Sequence, residues 1–128
     1  MKKKYELVLN DSITIDNHTL YRIRALKDFN DVKAGDLGGY IEKEDNLSQY
    51  DNCWVYDDAC VYGYAKVHGE ASISGGSKVH GNAEVYGTVY IYGNAIVSDN
   101  ACISGDAEIS GDTKISGDAK ISGDGAVC

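Results

Sequence analysis

No stretch of this 128-residue chain approaches the ~20 consecutive apolar residues that a membrane-spanning helix needs. No apolar segment follows Met1-Lys2-Lys3-Lys4, as one would in a secretory signal. Neither membrane insertion nor export is expected, and the chain reads as cytoplasmic. Proline is absent, so turns fall to glycine, aspartate and asparagine. Cys53, Cys60, Cys102 and Cys128 form no CxxC pair and no metal-ligand spacing, which reads as reduced thiols. Basic residues are few: 12 Lys and Arg stand against 20 Asp and Glu, a net charge of −8. Residues 1–50 hold 8 basic and 9 acidic side chains, net −1, and residues 51–128 hold 4 and 11, net −7. An acidic surface repels phosphate, which argues against direct nucleic-acid binding and against a coenzyme A site, and allows a partner with a basic groove. A composition 43% apolar still demands a core, and the length fits one domain.

The chain repeats itself every six residues from Val55 onward: aliphatic, polar or Tyr, Gly, Asp/Asn, Ala, any. Val55, Val61, Val67, Ile73, Val79, Val85, Ile91, Val97, Ile103, Ile109, Ile115, Ile121 and Val127 hold that phase without a slip. Gly stands two places later except at Asp57 and Asp99. The fifth position stays small, as in Ala59, Ala65, Ala71, Ser77 and Gly125, with Val89 the one bulky exception. A six-residue period would smear the aliphatic residues around a helix, whereas alternation in extended backbone sends Ala59 and Val61 inward and Cys60 and Tyr62 outward. The Gly-Asp/Asn pair then makes a sharp corner at positive φ. Three strand-corner units close an 18-residue triangular coil, and twelve hexads predict four stacked coils.

This pattern over residues 55–128 resembles the hexapeptide-repeat β-helix, and the resemblance implies a left-handed coil, against the usual right-handed crossover. The expected fold is therefore all-β, a left-handed parallel β-helix with a small N-terminal β cap. Residues 1–46 read as a hairpin and cap segment and 47–128 as the solenoid. Lys4–Leu9 and Leu20–Leu26 are predicted strands, with turn signals at Asn10-Asp11 and Asp16-Asn17. Tyr21, Ile23 and Ala25 would share one side, and Arg22 and Arg24 the other. The run from Ala34 to Gly39 reads as turn. The cap should cover the open N-terminal edge. The C-terminal end shows no such cover, which points to a longer chain or a second copy, hence a homodimer.

Stacking at 18 residues sorts the outward side chains onto three faces. Trp54, Tyr56, Ser72, Ser74, Tyr90, Tyr92, Glu108 and Ser110 share the first. Cys60, Tyr62, Lys78, His80, Ile96, Ser98, Lys114 and Ser116 share the second, and Lys66, His68, Glu84, Tyr86, Cys102, Ser104, Lys120 and Ser122 the third. The aromatic pairs of the first face suit a protein interface, since Tyr and Trp give rigid contact area at low entropic cost. The alternative is that tyrosine merely tiles a flat sheet. The interaction surface is read as Trp54, Tyr56, Tyr90, Tyr92 and Glu108, extended by Glu84 and Tyr86. His68 and His80 stack beside Tyr86 and Tyr62 but lack a second histidine or a carboxylate ladder, so no metal or catalytic role is assigned to them. His18 sits in a turn and carries no functional signal. Asp106, Asp112, Asp118 and Asp124 repeat as corner residues rather than as a nine-residue calcium-binding repeat. No long loop, helical tail or Ser/His/Asp set interrupts the hexads, so neither an enzyme nor a cofactor is expected.

A narrower resemblance rests on Leu20–Phe29, Val32–Ile41, Asn46-Leu47-Ser48 and Trp54-Val55-Tyr56. Residues 20–128 look like the short phage- and prophage-encoded hexapeptide-repeat proteins of bacteria. That family brings no catalytic residues to carry over. It implies a phage protein inside the host bacterial cell, and an acidic module that blocks a CRISPR or other defence effector, or a nucleic-acid enzyme. Two alternatives stay open: an acyltransferase or γ-type metalloenzyme active as a trimer, and a self-associating structural phage protein.

Overall fold

The computed structural model describes residues 3–123 and the short strand Ala126–Val127. The corner and tail readings at Asp124, Gly125 and Cys128 lie outside the described residues. The hexad aliphatics from Val55 to Ile109 point into one continuous core and are at most 1% exposed. Each such side chain stabilises the fold by roughly 1.5–3 kcal/mol relative to exposure. Between them the corner residues turn the chain: Gly63 through Gly123 in the third hexad position, with Asp57 and Asp99, all have φ between +58° and +83°.

Three parallel sheets result. One stacks Trp54–Val55, Ser72–Ile73, Tyr90–Ile91, Glu108–Ile109 and Ala126–Val127. The second stacks Cys60–Val61, Lys78–Val79, Ile96–Val97 and Lys114–Ile115, and the third Lys66–Val67, Glu84–Val85, Cys102–Ile103 and Lys120–Ile121. Partners are 18 residues apart, Cys60 opposite Lys78 and Val61 opposite Val79. Hydrogen bonds run along the solenoid axis from coil to coil: Cys60 N–H donates to the Ser77 carbonyl at 2.9 Å and Tyr62 N–H to Val79 at 3.0 Å. The chain is all-β, with no α-helix among the described residues and a single 3₁₀ turn at Glu44–Asn46.

The solenoid begins earlier than the hexad count implies. Strand β3 (Leu37–Ile41) pairs in parallel with Cys60–Val61, and Leu47 bridges Val67. Both offsets are 20 residues rather than 18, because eight residues instead of six separate Leu47 from Val55. An incomplete coil therefore lies above the predicted four, and strand pairing runs through the expected boundary at 46/47. Buried Asn46 holds this turn together. Its Oδ1 accepts from the Glu42 and Lys43 amides at 3.1 and 2.9 Å, and its Nδ2 donates to the Gly63 and Ala65 carbonyls at 3.2 and 2.9 Å.

The N-terminal segment is a hairpin of β1 (Tyr5–Ile15) and β2 (His18–Ala25). Asp16 and Asn17, at φ +51° and +69°, form its two-residue turn, as their sequence predicts. Asn10-Asp11 is not a turn. It lies inside β1, where the register slips between Val8 and Ser12, a bulge that bends the strand instead of reversing it. Nor are Gly38 and Gly39 a turn: they belong to β3. β2 pairs antiparallel with β3, so the hairpin extends the second-face sheet.

Two packing zones secure the hairpin. On the inside, Tyr5, Ile23, Ala25, Phe29 and Val32 join the solenoid core around Trp54. The Phe29 and Tyr5 rings meet its indole edge-on at 5.2 and 6.1 Å. Lys4 is buried with them, its Nζ donating to the Asp51 and Cys53 carbonyls, both at 2.6 Å, and burial lowers its pKa. On the outside, Leu20 packs with Tyr40, Cys60 and Tyr62. The expected alternation therefore holds for Ile23 and Ala25, but Tyr21 is only partly buried while Leu20 is fully so. The distal hairpin lies over the outer surface of the second face and buries what a bare solenoid would expose.

One core position is mismatched. Ser77 is fully buried in the stack between Ala59 and Ala95, and its hydroxyl has no hydrogen-bond partner among the described residues. An orphaned buried hydroxyl costs about 1–3 kcal/mol. Ser77→Ala is expected to raise stability by about 1 kcal/mol, read as a higher urea midpoint at an unchanged slope. A lower midpoint would mean that the hydroxyl is satisfied.

Candidate functional site

The three faces sort the predicted surface residues unequally. On the first, Trp54, Ser72, Tyr90 and Glu108 are successive parallel neighbours. Trp54 is 1% exposed under Phe29 and Tyr5, so it is a core residue and not part of an interaction surface. The cap covers the outward position of the first coil, which hexad alternation alone leaves open. Tyr56 is half-buried, while Tyr90 and Tyr92 remain 46% and 42% exposed and Glu108 is exposed. Glu84 and Tyr86 lie on the third face, apart from this group.

A groove of about 520 Å³ opens on the first face between the Asn30-Asp31 loop and Tyr90. Tyr56 and Ser72 also line it, with Glu70 and Thr88 from the adjoining corner. The Tyr56 hydroxyl donates to Asp31 Oδ1 at 2.9 Å. Burial, and then this carboxylate, push the Tyr56 pKa well up, so the phenol stays protonated. Glu70 Oε1 accepts from Asn52 Nδ2 at 3.3 Å. Among the described residues neither Asp31 nor Glu70 makes an ion pair, and no lysine or arginine lines the groove. The Asn30-Asp31 loop escaped the sequence reading. Its one signal was an Asn-Asp pair between Phe29 and Val32, and nothing in sequence says which coil it would overhang.

On the third face Lys66 and Glu84 are in register as expected, but Glu84 Oε2 meets His68 Nε2 at 3.0 Å instead. His68 stacks on Tyr86 at 5.0 Å and 9°. His68 thus has a carboxylate partner one coil away, contrary to its expected isolation. An open groove of about 540 Å³ beside it is lined by Lys66 and Glu84, with Lys43 lying 4.5 Å over the Tyr64 ring.

On the second face the stack has three members. Tyr62 lies parallel to His80 at 4.9 Å and meets the His18 ring at 5.2 Å. Its hydroxyl donates to Asp16 Oδ2 at 3.1 Å, and burial followed by that carboxylate push its pKa up to about 12. His18, given no role from sequence, pins the hairpin tip, its Nδ1 2.9 Å from Glu42 Oε2. Burial lowers the His80 pKa, Asp16 and Asp99 opposing, with Lys78 and His18 adding to the decrease. The unfolded chain then binds the more protons just below pH 6.5, so stability is present above that value and falls as pH drops toward the folded-state pKa. His80→Phe should flatten this decline in chemical-denaturation series between pH 7 and 5. An unchanged slope would place the effect elsewhere.

No group of three or more His, Cys, Asp or Glu among the described residues could hold a metal ion. The corner aspartates Asp106, Asp112 and Asp118 fall on three different corners, and Asp118 Oδ1 accepts from Asn100 Nδ2 at 3.1 Å. No helix among the described residues is long and apolar enough to cross a membrane. No protein-family model matches the chain, and no curated protein is significantly similar to it in sequence.

Proposed function

We propose that the protein is a non-catalytic interaction module that binds another protein through its first face. The observation carrying this reading is the exposed Tyr90-Tyr92 pair beside a groove whose two carboxylates lack ion-pair partners. Rigid aromatics flanked by negative charge favour a basic partner surface, and the net charge of −7 over residues 51–128 steers such a partner in. In its sharpest form, drawn from the sequence resemblance, the module is a phage-encoded inhibitor. It would act as a homodimer in the host cytoplasm and occupy the phosphate-binding groove of a CRISPR or other defence effector. The test is retention from bacterial lysate on the immobilised protein, followed by direct titration of the retained protein. Tyr90→Ala/Tyr92→Ala should weaken binding at least tenfold if these are the central anchors. Retention indifferent to that variant would remove the first face from the reading.

The His68-Glu84 contact beside the third-face groove favours a second reading, a trimeric acyltransferase or γ-type metalloenzyme. It requires micromolar binding of coenzyme A or a divalent metal that is lost on His68→Ala.

A further inference from the structure

Resting on the interaction reading, we infer that the first-face groove is an arginine receptor, which takes the guanidinium of one arginine side chain from the partner protein. A ligand that covers the groove takes Asp31 and Glu70, both exposed, out of water, and with no ion pair on either and no basic residue in the lining it has to bring the positive charge itself. Removing a lone carboxylate from water is unfavourable unless a cation replaces the water. A flat cation also suits the two aromatic side chains, Tyr56 and Tyr90, that line the same groove. A guanidinium meets both demands, stacking on a phenol ring while its edge donates to a carboxylate. A lysine ammonium, compact and strongly hydrated, does so less well.

Asp31 is held in place before any ligand arrives. Its loop is closed by reciprocal hydrogen bonds between Phe29 and Val32, at 2.9 and 2.8 Å. Both of these side chains are buried, with Phe29 against Trp54. The Tyr56 hydroxyl occupies Oδ1 and leaves Oδ2 for a donor. Such an arrangement gives up little conformational entropy on binding. A second copy of the chain is a poor source of the arginine. Its two arginines are both engaged, Arg22 with Asp11 and Asp58 at 3.2 Å each and Arg24 with Glu6. The partner is therefore a different protein, with an exposed arginine on a basic surface.

Nuclear magnetic resonance titration of the full chain with a blocked single-arginine peptide tests this, beside the same peptide carrying lysine or the neutral isostere citrulline. The arginine peptide should shift the amides of Asp31, Glu70 and Ser72 and the Tyr90 ring. The lysine peptide should bind about fivefold more weakly and the citrulline peptide at least about tenfold more weakly. Asp31→Asn, which keeps an acceptor for Tyr56, and Tyr90→Ala should each weaken the arginine peptide at least about fivefold. Equal binding of lysine and arginine, shifts confined to other faces, or no saturable shift would each overturn the inference. The two proposals fail separately. A lysate partner released by Tyr92→Ala or Glu108→Gln but indifferent to Asp31→Asn and Tyr90→Ala overturns the arginine receptor and leaves the interaction reading standing. A groove that takes the arginine peptide on a face that retains no protein overturns the interaction reading, and with it the partner protein as the source of the arginine, while the guanidinium selectivity of the groove stands.

Discussion

Trp54→Ala is expected to remove about 3–5 kcal/mol of stability, the usual range for deleting a fully buried indole. Trp54 is the largest fully buried side chain among the described residues, and three separate segments meet on it. Val55 beside it starts the first full hexad, Phe29 closes the Asp31 loop, and Tyr5 begins β1. The loss is a large share of the 5–15 kcal/mol by which a domain of this size is stable. The damage should be local at first: hairpin amides gain hydrogen exchange while the coils beyond Ile73 keep their protection. Denaturation followed by circular dichroism supplies the magnitude. Loss below about 1 kcal/mol would mean that the cap does not rely on this contact. Trp54→Ala is accordingly a poor probe of surface binding, since any loss of partner would follow from loss of the Asp31 loop.

Gly39→Ala should be nearly as damaging, through overpacking. A Cβ at Gly39 would stand 2.4 Å from the Ala59 carbonyl oxygen and 2.6 Å from Val55 Cγ1. The first obstacle is main chain in the neighbouring rung, and the second is a fully buried core side chain. Relief requires β3 to move off Cys60–Val61, which severs the strand that joins the hairpin to the solenoid. The expected cost is at least about 3 kcal/mol, with β1 and β2 released together. Gly111→Ala is the control, since a Cβ there meets nothing within 4 Å and only the φ of +66° resists it. It should cost about 1 kcal/mol. Equal effects at the two positions would show that glycine matters here for backbone freedom alone.

The coils were legible because each hexad is a local statement: aliphatic in, glycine or aspartate at the corner, small residue before the next strand. The 18-residue neighbours follow by counting, and Tyr90 opposite Ser72 and Lys66 opposite Glu84 stand as counted. The hairpin was legible only as strands and one turn. Where it lies depends on contacts far apart in sequence, such as Tyr62 with Asp16 and Tyr5 with Leu47. Those contacts bury Trp54, Cys60 and Tyr62, which period-two alternation places outside. Gly38 and Gly39 misled because glycine signals either a turn or a close approach, and the carbonyls of Val55 and Ala59 decide for the latter. The groove at Asp31 was illegible for the same reason as the hairpin: one wall is local repeat and the other is a loop folded onto it from 25 residues away.

The three-sided coil also governs how such a chain tolerates changes of length. Losing or duplicating 18 residues shortens or lengthens the prism and leaves every side chain on its original wall. Losing six preserves the phase of the core, yet everything downstream is turned by one wall. Removing a hexad between Ile73 and Val85 would carry Tyr90 and Tyr92 around the prism, away from Tyr56 and Asp31, without touching either group. Chains built on this repeat can therefore share core and corners while presenting different surfaces. Repeat number counted modulo three, more than residue identity, would then sort them by which side chains share a wall.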